Sequence, residues 1–464
     1  MKDNFLYTSA VFYSMVISFI IGIFIKRIVL PEIIGAFVFV SSVAILFNMP
    51  NSVLRNGVDR LVPKYLGLDD KQSVYRVASL SLTFLIITSI FGTVLLGLCG
   101  IFFGKDDWQF YAFPIYSIVF LSNSISSFFE VYLRSLNQIK KTAYLVFVSA
   151  TCSNLFLYVF VFLYKNIGYY GGYLIGGLVA SLAVIYISNR YISWREIKPT
   201  FYISKGLWKE PLVKEMLHVG FLLVFYALLF QFLLHIDKYF VKFLEGNAML
   251  AFYNFAASGA EIVVTLLAAF VGSFAPKIFF NFSVNKNQEY LLNKLTFVVI
   301  LLAYIAAFII FIGAPFFVRL VLPNYIQSVP FFKILTLMII PYAQYNIGYI
   351  VAIGKNMISR LIKGIIILLV INVLLNWILY KFLGVAGIAW ATVICVIFAY
   401  ILVSVVVSST YKLWYLTILF LPILLVNLWI VSLNLKLGVV ILVAIVIVNM
   451  SILFSLKDTR NVYK

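Results

Sequence analysis

Fourteen separate apolar runs, each about the length of a membrane-crossing helix, constrain this chain more than any other feature. They fall at about 5–25, 33–54, 77–103, 109–133, 143–164, 168–189, 217–236, 248–273, 295–318, 327–353, 364–380, 384–408, 413–433 and 437–456, bounded by charge or by Gly/Pro clusters. A transmembrane helix needs about 20 apolar residues to cross a hydrocarbon core of about 30 Å. Period-two alternation is absent from the runs, which excludes a membrane β-barrel. A water-soluble fold is excluded because 64% of the residues are hydrophobic and only 11% are charged, too little polar surface to cover a globule of this size. The same composition excludes disorder. The fold class expected is an all-α polytopic membrane protein with about fourteen transmembrane helices.

The first run is read as an uncleaved helix. Only Lys2 precedes it, followed by Asp3, and no small-residue cleavage pattern comes before Lys26-Arg27.

The net charge of +19 resembles a nucleic-acid footprint, but loop placement explains it better. With the N-terminus in the cytoplasm, 25 of the 35 Lys/Arg fall on the inner side and 9 on the outer, leaving Lys333 inside a span. That asymmetry favours N-in, and an even helix count puts the C-terminus inside as well. The outer loops are short. The longest hydrophilic segment, about 190–216, is basic, contains Pro199 and Pro211, and reads as a cytoplasmic linker with an amphipathic stretch on the inner leaflet. Cys99, Cys152 and Cys395 lie in apolar runs, and two histidines, His218 and His235, do not make a metal site.

The linker separates two similar halves. Leu163-Tyr164-Lys165-Asn166-Ile167-Gly168-Tyr169-Tyr170-Gly171 and Leu379-Tyr380-Lys381-Phe382-Leu383-Gly384-Val385-Ala386-Gly387 share Leu, Tyr, Lys and both Gly at a step of 216. Pro63-Lys64 and Pro276-Lys277 match at 213. A step of six helices preserves orientation, so the reading is of parallel repeats with a substrate site between them. The domains expected are a six-helix bundle at 1–190, a linker at 191–216, a second six-helix bundle at 217–410, and two extra helices with a cytoplasmic tail at 411–464.

Ionisable residues inside spans are the candidate functional groups, since burying them in lipid is expensive. Lys26 and Arg27 end span one; they are either snorkelling anchors or cleft residues. Asp237 and Lys238 end span seven, their counterparts in the repeat, and Asp237 has Arg27, Lys26 or Lys238 as possible partners. Glu130 precedes Arg134 by one helical turn, the spacing of an i,i+4 ion pair. Glu261 is mid-span, either facing a cavity as an ion-coupling carboxylate or paired with a lysine of another helix. Lys333 is one candidate for that lysine, unless it snorkels outward. After span two, Arg55/Asp59 and Arg60/Lys64 are i,i+4 neighbours on an amphipathic helix that either anchors the inner face or gates it.

Ile28-Val29-Leu30-Pro31-Glu32-Ile33-Ile34-Gly35-Ala36-Phe37 follows a basic helix end and resembles the opening of the Wzx-type polysaccharide flippases, as does the Arg60 helix. Asp237-Lys238-Tyr239-Phe240-Val241, Ala251-Phe252-Tyr253-Asn254 and Ala275-Pro276-Lys277 are similar to the second half of that family. The family belongs to the multidrug/oligosaccharidyl-lipid/polysaccharide exporter superfamily. The resemblance implies transport of a polyprenyl-diphosphate-linked oligosaccharide, an O-antigen, capsule or other surface repeat unit, from the inner to the outer leaflet of the plasma membrane. It implies a cationic cleft of Lys26, Arg27, Lys238, Arg60 and Lys64. Read from their own positions in the spans, Asp237, Glu261, Glu130 and Lys333 are the candidates for ion coupling or ion pairing. Implied partners are the lipid-linked glycan, membrane lipids and other polysaccharide-assembly membrane proteins, with no nucleic acid. No nucleotide-binding loop occurs, and no cofactor or metal is expected.

Alternatives are a lipid II flippase, a multidrug or cation antiporter and, from another class, a membrane polysaccharide polymerase or ligase. Polymerases and ligases need a large outer loop carrying catalytic groups, which the short loops here do not supply.

Overall fold

The computed structural model describes residues 2–104, 107–192, 211–272, 274, 278, 289–355 and 357–408. Residues 193–210 of the central linker and the runs at 413–433 and 437–456 lie outside the described residues, as do Lys105 and Pro276-Lys277. Among the described residues every regular element is helical. The helices are α1 (Lys2–Ile28), α2 (Pro31–Phe47), α3 (Met49–Gly67), α4 (Lys71–Phe103), α5 (Asp107–Ser135), α6 (Ile139–Asn189), α7 (Pro211–Gly272), α8 (Glu289–Val321), α9 (Val329–Leu335), α10 (Ile339–Gly354), α11 (Ile358–Leu383) and α12 (Val385–Val407), with short 3-10 turns at Pro323–Ser328 and Thr336–Met338. The chain divides into two compact units, Met1–Leu228 with Glu245–Ala251, and Leu229–Leu244 with Phe252–Lys464.

Among the described residues nine helical stretches are long and apolar enough to cross a membrane, or ten if the bent pair α2 and α3 counts as one. Two of the nine are too long for one crossing. Ile139–Asn189 has 51 residues and Val224–Gly272 has 49, so straight helices would run about 75 Å. Each is interrupted by one residue off the helical backbone, Lys165 (φ 50, ψ −120) in α6 and Gly246 (φ 87, ψ −172) in α7.

The α6 break is a hairpin, and glycines show why it closes. A Cβ on Gly168 would run into the Phe160 carbonyl, one on Gly172 would lie 2.9 Å from the Leu157 Cα, and one on Gly176 2.7 Å from the Ser153 carbonyl oxygen. Rising positions on one arm meet falling positions on the other, so the arms are antiparallel and pack backbone to backbone. Small residues matter here because lipid is as apolar as leucine, which leaves close packing as the main force between helices. Large apolar residues are accordingly exposed along the helices, as at Phe102, Ile167, Leu320 and Phe382.

The second unit contains the same joint. Gly384 (φ 60, ψ −143) separates α11 from α12, and a Cβ on Gly387 would run into the Leu379 carbonyl. Lys165 and Gly384, Gly168 and Gly387, and Phe160 and Leu379 are each related by the same step of 219. This corrects the 216-residue register read from the sequence, which paired Gly168 with Gly384. The LYK and glycine matches at 216 lie three residues out of structural register. At 219, buried Gly168, Gly172 and Gly176 correspond to buried Gly387, Ala391 and Cys395, a small-residue stripe in each half.

Within the first unit α1 runs parallel to the first arm of α6. Tyr13 stacks on Phe147 and bonds Thr151 at 3.1 Å, the Asn154 amide donates to Ser18 Oγ at 3.0 Å, and the Leu30 amide donates to Asn166 at 3.0 Å. In the second unit Asn372 of α11 donates to the Leu233 carbonyl of α7 at 2.8 Å. An asparagine thus ties the first arm of α6 to α1 in one unit and α11 to α7 in the other.

Asn48 and Pro50 mark the bend between α2 and α3, which is 57°. The α3 sequence is amphipathic, burying Asn51, Leu54, Val58 and Leu61 while Arg60 and Lys64 stay exposed. Its apolar face packs with Val77, Leu80, Phe128, Phe129 and Tyr132 in one core. Buried Asn51 links three helices by donating to Ser89 (3.0 Å) and Ser124 (3.1 Å) and accepting from Thr88 (2.6 Å). Outside the spans, Asp70 caps α4 by accepting from the Ser73 amide at 3.0 Å, and these Ser73 bonds hold its carboxyl below the usual range.

Candidate functional site: polar groups inside the two units

The first unit encloses a polar cavity among apolar helices. Ser122-Asn123-Ser124-Ile125-Ser126-Ser127 lies in the middle of α5, and its small polar side chains leave space beside them. One chamber of about 430 Å³ is lined by Asn123, Ser126, Ser127, Glu130, Asn154 and Tyr173, among others. A second, of about 270 Å³, shares Asn123 and Ser127 and adds Asn48, Arg55 and Tyr116. Arg55 lines the second chamber and donates to Ser127 Oγ (2.6 Å), which borders both, and to Ser52 Oγ (3.0 Å) and Asn48 Oδ1 (3.3 Å). Glu130 interacts electrostatically with Arg134 and Arg55. The lining therefore offers hydroxyls, amides, one guanidinium and one carboxylate, a set suited to a hydroxyl-rich or hydrated charged ligand.

The expected Glu130–Arg134 ion pair is replaced, and the i,i+4 neighbours Arg55 and Asp59 take separate partners. Arg134 bonds Asp59 of α3 at 3.2 Å and the Tyr7 hydroxyl at 3.3 Å, so its contact partner is not Glu130. Asp59 is likewise not bridged to Arg55, because α5 presents Arg134 to it while Arg55 turns to the serines. Tertiary partners outcompete the i,i+4 neighbour in both cases.

In the second unit the α7 hairpin brings together groups on either side of its break. Lys238 Nζ lies 3.3 Å from Glu261 Oε1, and His235 Nδ1 lies 3.8 Å from the same oxygen. Lys238 is therefore the lysine that pairs with Glu261. Lys333 instead lies with its Nζ 5.7 Å from the Phe311 ring centroid, on α9, a seven-residue helix between two 3-10 turns. Asp237 is only 2% exposed. It accepts from the Tyr253 hydroxyl at 2.6 Å and the Thr392 hydroxyl at 3.0 Å, and its other oxygen takes the Lys238 amide at 2.7 Å. Hydroxyls of its own unit, not a basic side chain, hold this carboxylate.

The remaining basic candidates are separate from these clusters. Lys26 is half-buried and donates to the Gly22 carbonyl at 3.4 Å, while Arg27 is exposed at the same helix end. Arg60 and Lys64 lie on the exposed face of α3, with Lys64 over the Tyr65 ring. Sequence reasoning missed Asn123, Ser127, Tyr116, Tyr253 and Thr392. The serine-rich run in span four was the visible signal for the first two; Tyr253 stood in a run that resembles the flippase family but had no role attached, and Thr392 carried no signal. Among the described residues no cluster of three or more His, Cys, Asp or Glu has metal-holding geometry.

Solved structures share this fold. A lipid II flippase MurJ, in an inward closed conformation, aligns with a TM-score of 0.68 at 16% identity, covering 99% of this chain and 100% of its own. An inward-facing multidrug resistance MATE family transporter of the MOP superfamily aligns at 0.66 and 16% identity, covering 87% and 96%. The Vibrio cholerae MATE transporter VcmN in its bent form aligns at 0.61 and 14% identity, covering 88% and 95%. No curated protein matches the sequence. The profile of the family described as polysaccharide biosynthesis protein matches residues 1–282. With more than half of its length matched, this multi-pass membrane chain belongs to the polysaccharide biosynthesis protein family.

Proposed function

We propose that this protein is a flippase that carries a polyprenyl-diphosphate-linked oligosaccharide, the repeat unit of a surface polysaccharide, from the inner to the outer leaflet of the plasma membrane. The observation that carries the reading is the polar cavity around Asn123, Arg55 and Glu130 inside a unit of lipid-exposed apolar helices. A hydrated diphosphate-sugar head crosses hydrocarbon only at a prohibitive desolvation cost. Hydroxyls, amides and cations along a protein path replace the lost water, and the lipid tail stays in the bilayer.

Alternating access is by rocking of two six-helix bundles, 1–190 and 217–410. The repeated hairpin joint supports that division. Nine helical stretches among the described residues are long and apolar enough to cross, ten with the bent pair; taking each arm of α6 and α7 as its own crossing makes twelve spans in this reading. The apolar runs at 413–433 and 437–456 bring the total to fourteen, with both termini inside. Lys26, Arg27, Arg60 and Lys64 are assigned to the phosphates. Lys238 joins them when Glu261 takes up a proton or is met by a cation, which couples substrate binding to an ion gradient. Asp237, Glu130 and Lys333 are secondary coupling or pairing groups.

A lipid II flippase is the second reading, favoured by the alignment with MurJ over nearly the whole of both chains. The test is a strain deleted for this gene. Inner-leaflet accumulation of lipid-linked oligosaccharide with loss of surface polysaccharide, rescued by wild type but not by Arg27→Ala, is expected. Normal surface glycan with altered drug sensitivity would move the assignment to a multidrug antiporter.

A further inference from the structure

The hairpin of α6 brings its two ends to one side of the first unit, and α1, parallel to the first arm, begins there too. These three ends enclose a groove of about 700 Å³, lined by Leu6, Ser9, Tyr13, Lys140, Tyr144 and Phe147 together with Lys141 and Tyr191. Its wall is apolar and largely aromatic, and Leu6, Tyr144 and Phe147 are exposed along it. Its mouth is cationic. Lys141 Nζ lies 4.3 Å from the Tyr191 ring centroid, and Arg190 lies over the Tyr186 ring at 5.2 Å and bonds its hydroxyl. Arg190 also interacts electrostatically with Tyr191 and Tyr144, which places it beside the groove. Among the side chains the structure describes, which leave out Asp3, no carboxylate lies within ion-pair distance of Lys140, Lys141 or Arg190.

We propose that this groove binds an anionic glycerophospholipid of the surrounding leaflet, with the phosphate at Lys140, Lys141 and Arg190 and the upper acyl chain against Tyr13, Tyr144 and Phe147. Charge selects this occupant. The chain's own adjoining segment, 193–210, carries Arg195, Lys198, Lys205 and Lys209 against Glu196 and Glu210, so it is net basic and does not complement the charge of the mouth. A zwitterionic lipid presents its own cation there. A phosphate diester on an apolar tail satisfies both the wall and the mouth.

The test uses the purified full-length protein in detergent and native mass spectrometry, titrated with phosphatidylglycerol or with phosphatidylcholine of the same chains, and then with a polyprenyl diphosphate as competitor. Wild type is expected to retain phosphatidylglycerol preferentially. Lys140→Gln with Lys141→Gln is expected to weaken it about thirty-fold and to leave phosphatidylcholine unchanged. Lys140→Arg with Lys141→Arg retains the preference and controls for folding. Ser9→Trp fills the groove without removing charge, and it too is expected to abolish retention. Equal retention of the two lipids by wild type overturns the proposal. So does full phosphatidylglycerol preference in Ser9→Trp, which marks surface charge without a groove. Loss of phosphatidylglycerol to a polyprenyl diphosphate that alone depends on Lys140 and Lys141 also overturns it, and assigns the groove to that lipid instead.

Discussion

Alanine at Gly168 tests the hairpin and the 219-residue register together. In the native hairpin the new Cβ falls on the Phe160 carbonyl, inside the 3.0 Å that real Cβ atoms keep. The atom in the way is backbone, so the arms must part by about 1 Å, and an extra methyl forced into a packed contact costs about 3 kcal/mol. Higher helix propensity returns about 1 kcal/mol, leaving a net loss of about 2 kcal/mol. At Gly171 the nearest atom is the Phe160 Cδ1 at 3.2 Å, the edge of a side chain that can turn away. Gly171→Ala is therefore expected within about 0.5 kcal/mol of wild type. Gly387→Ala meets the Leu379 carbonyl and is expected to match Gly168→Ala, since the two positions correspond. Denaturation of the purified variants in one detergent, under identical conditions, provides the ranking. Were Gly171→Ala as damaging as Gly387→Ala while Gly168→Ala was silent, the 216-residue register would be restored and the hairpin argument would fail.

Lys165 holds a backbone conformation that its counterpart Gly384 adopts freely, so Lys165→Gly is expected to stabilise by about 1 kcal/mol and Gly384→Ala to destabilise by a similar amount. Lys238→Met leaves Glu261 with only His235, 3.8 Å away; a double-mutant cycle with Glu261→Gln is expected to show a coupling of about 1–3 kcal/mol in thermal denaturation, and additivity would contradict the pairing. Asn51→Leu strips hydrogen bonds from Thr88, Ser89 and Ser124 and is expected to cost about 2 kcal/mol, whereas Asp59→Asn, at a half-exposed ion pair, is expected to cost under about 1 kcal/mol. Asp70→Ala is expected to lower the midpoint at pH 7. Because the folded carboxyl titrates below its unfolded value, the deficit is full above that value and disappears as pH falls through the folded one.

The all-helical class was legible because lipid imposes a simple rule on every crossing segment: long apolar runs and no open backbone. Hairpin joints were visible as Gly-rich matches, but their register was not, since three repeated residues beside the joint outweighed the packing constraint that a Cβ clash reveals. Pairings failed for a related reason. Local spacing offered Glu130 to Arg134 and Arg55 to Asp59, while the fold delivered Asp59 to Arg134 and serines to Arg55. Glu261 was visible as a buried charge. Its partner was not, because the i,i+4 rule does not reach Lys238, twenty-three residues earlier across a hairpin. Asp237 shows the opposite limit: a charge that invites a basic partner in sequence is satisfied by two hydroxyls, one of them 155 residues away.

The central claim is translocation, and leaflet-resolved transport tests it most directly. Purified protein is reconstituted into vesicles carrying a polyprenyl-diphosphate-linked oligosaccharide, and the fraction of glycan open to an added glycosidase or lectin is followed over time. The account predicts that the protected inner pool becomes accessible when the protein is present, faster under an ion gradient, and much more slowly with Arg55→Ala, which removes the cation from the cavity wall. An inner pool that stays protected, in vesicles where the protein is folded and a gradient is imposed, would contradict it.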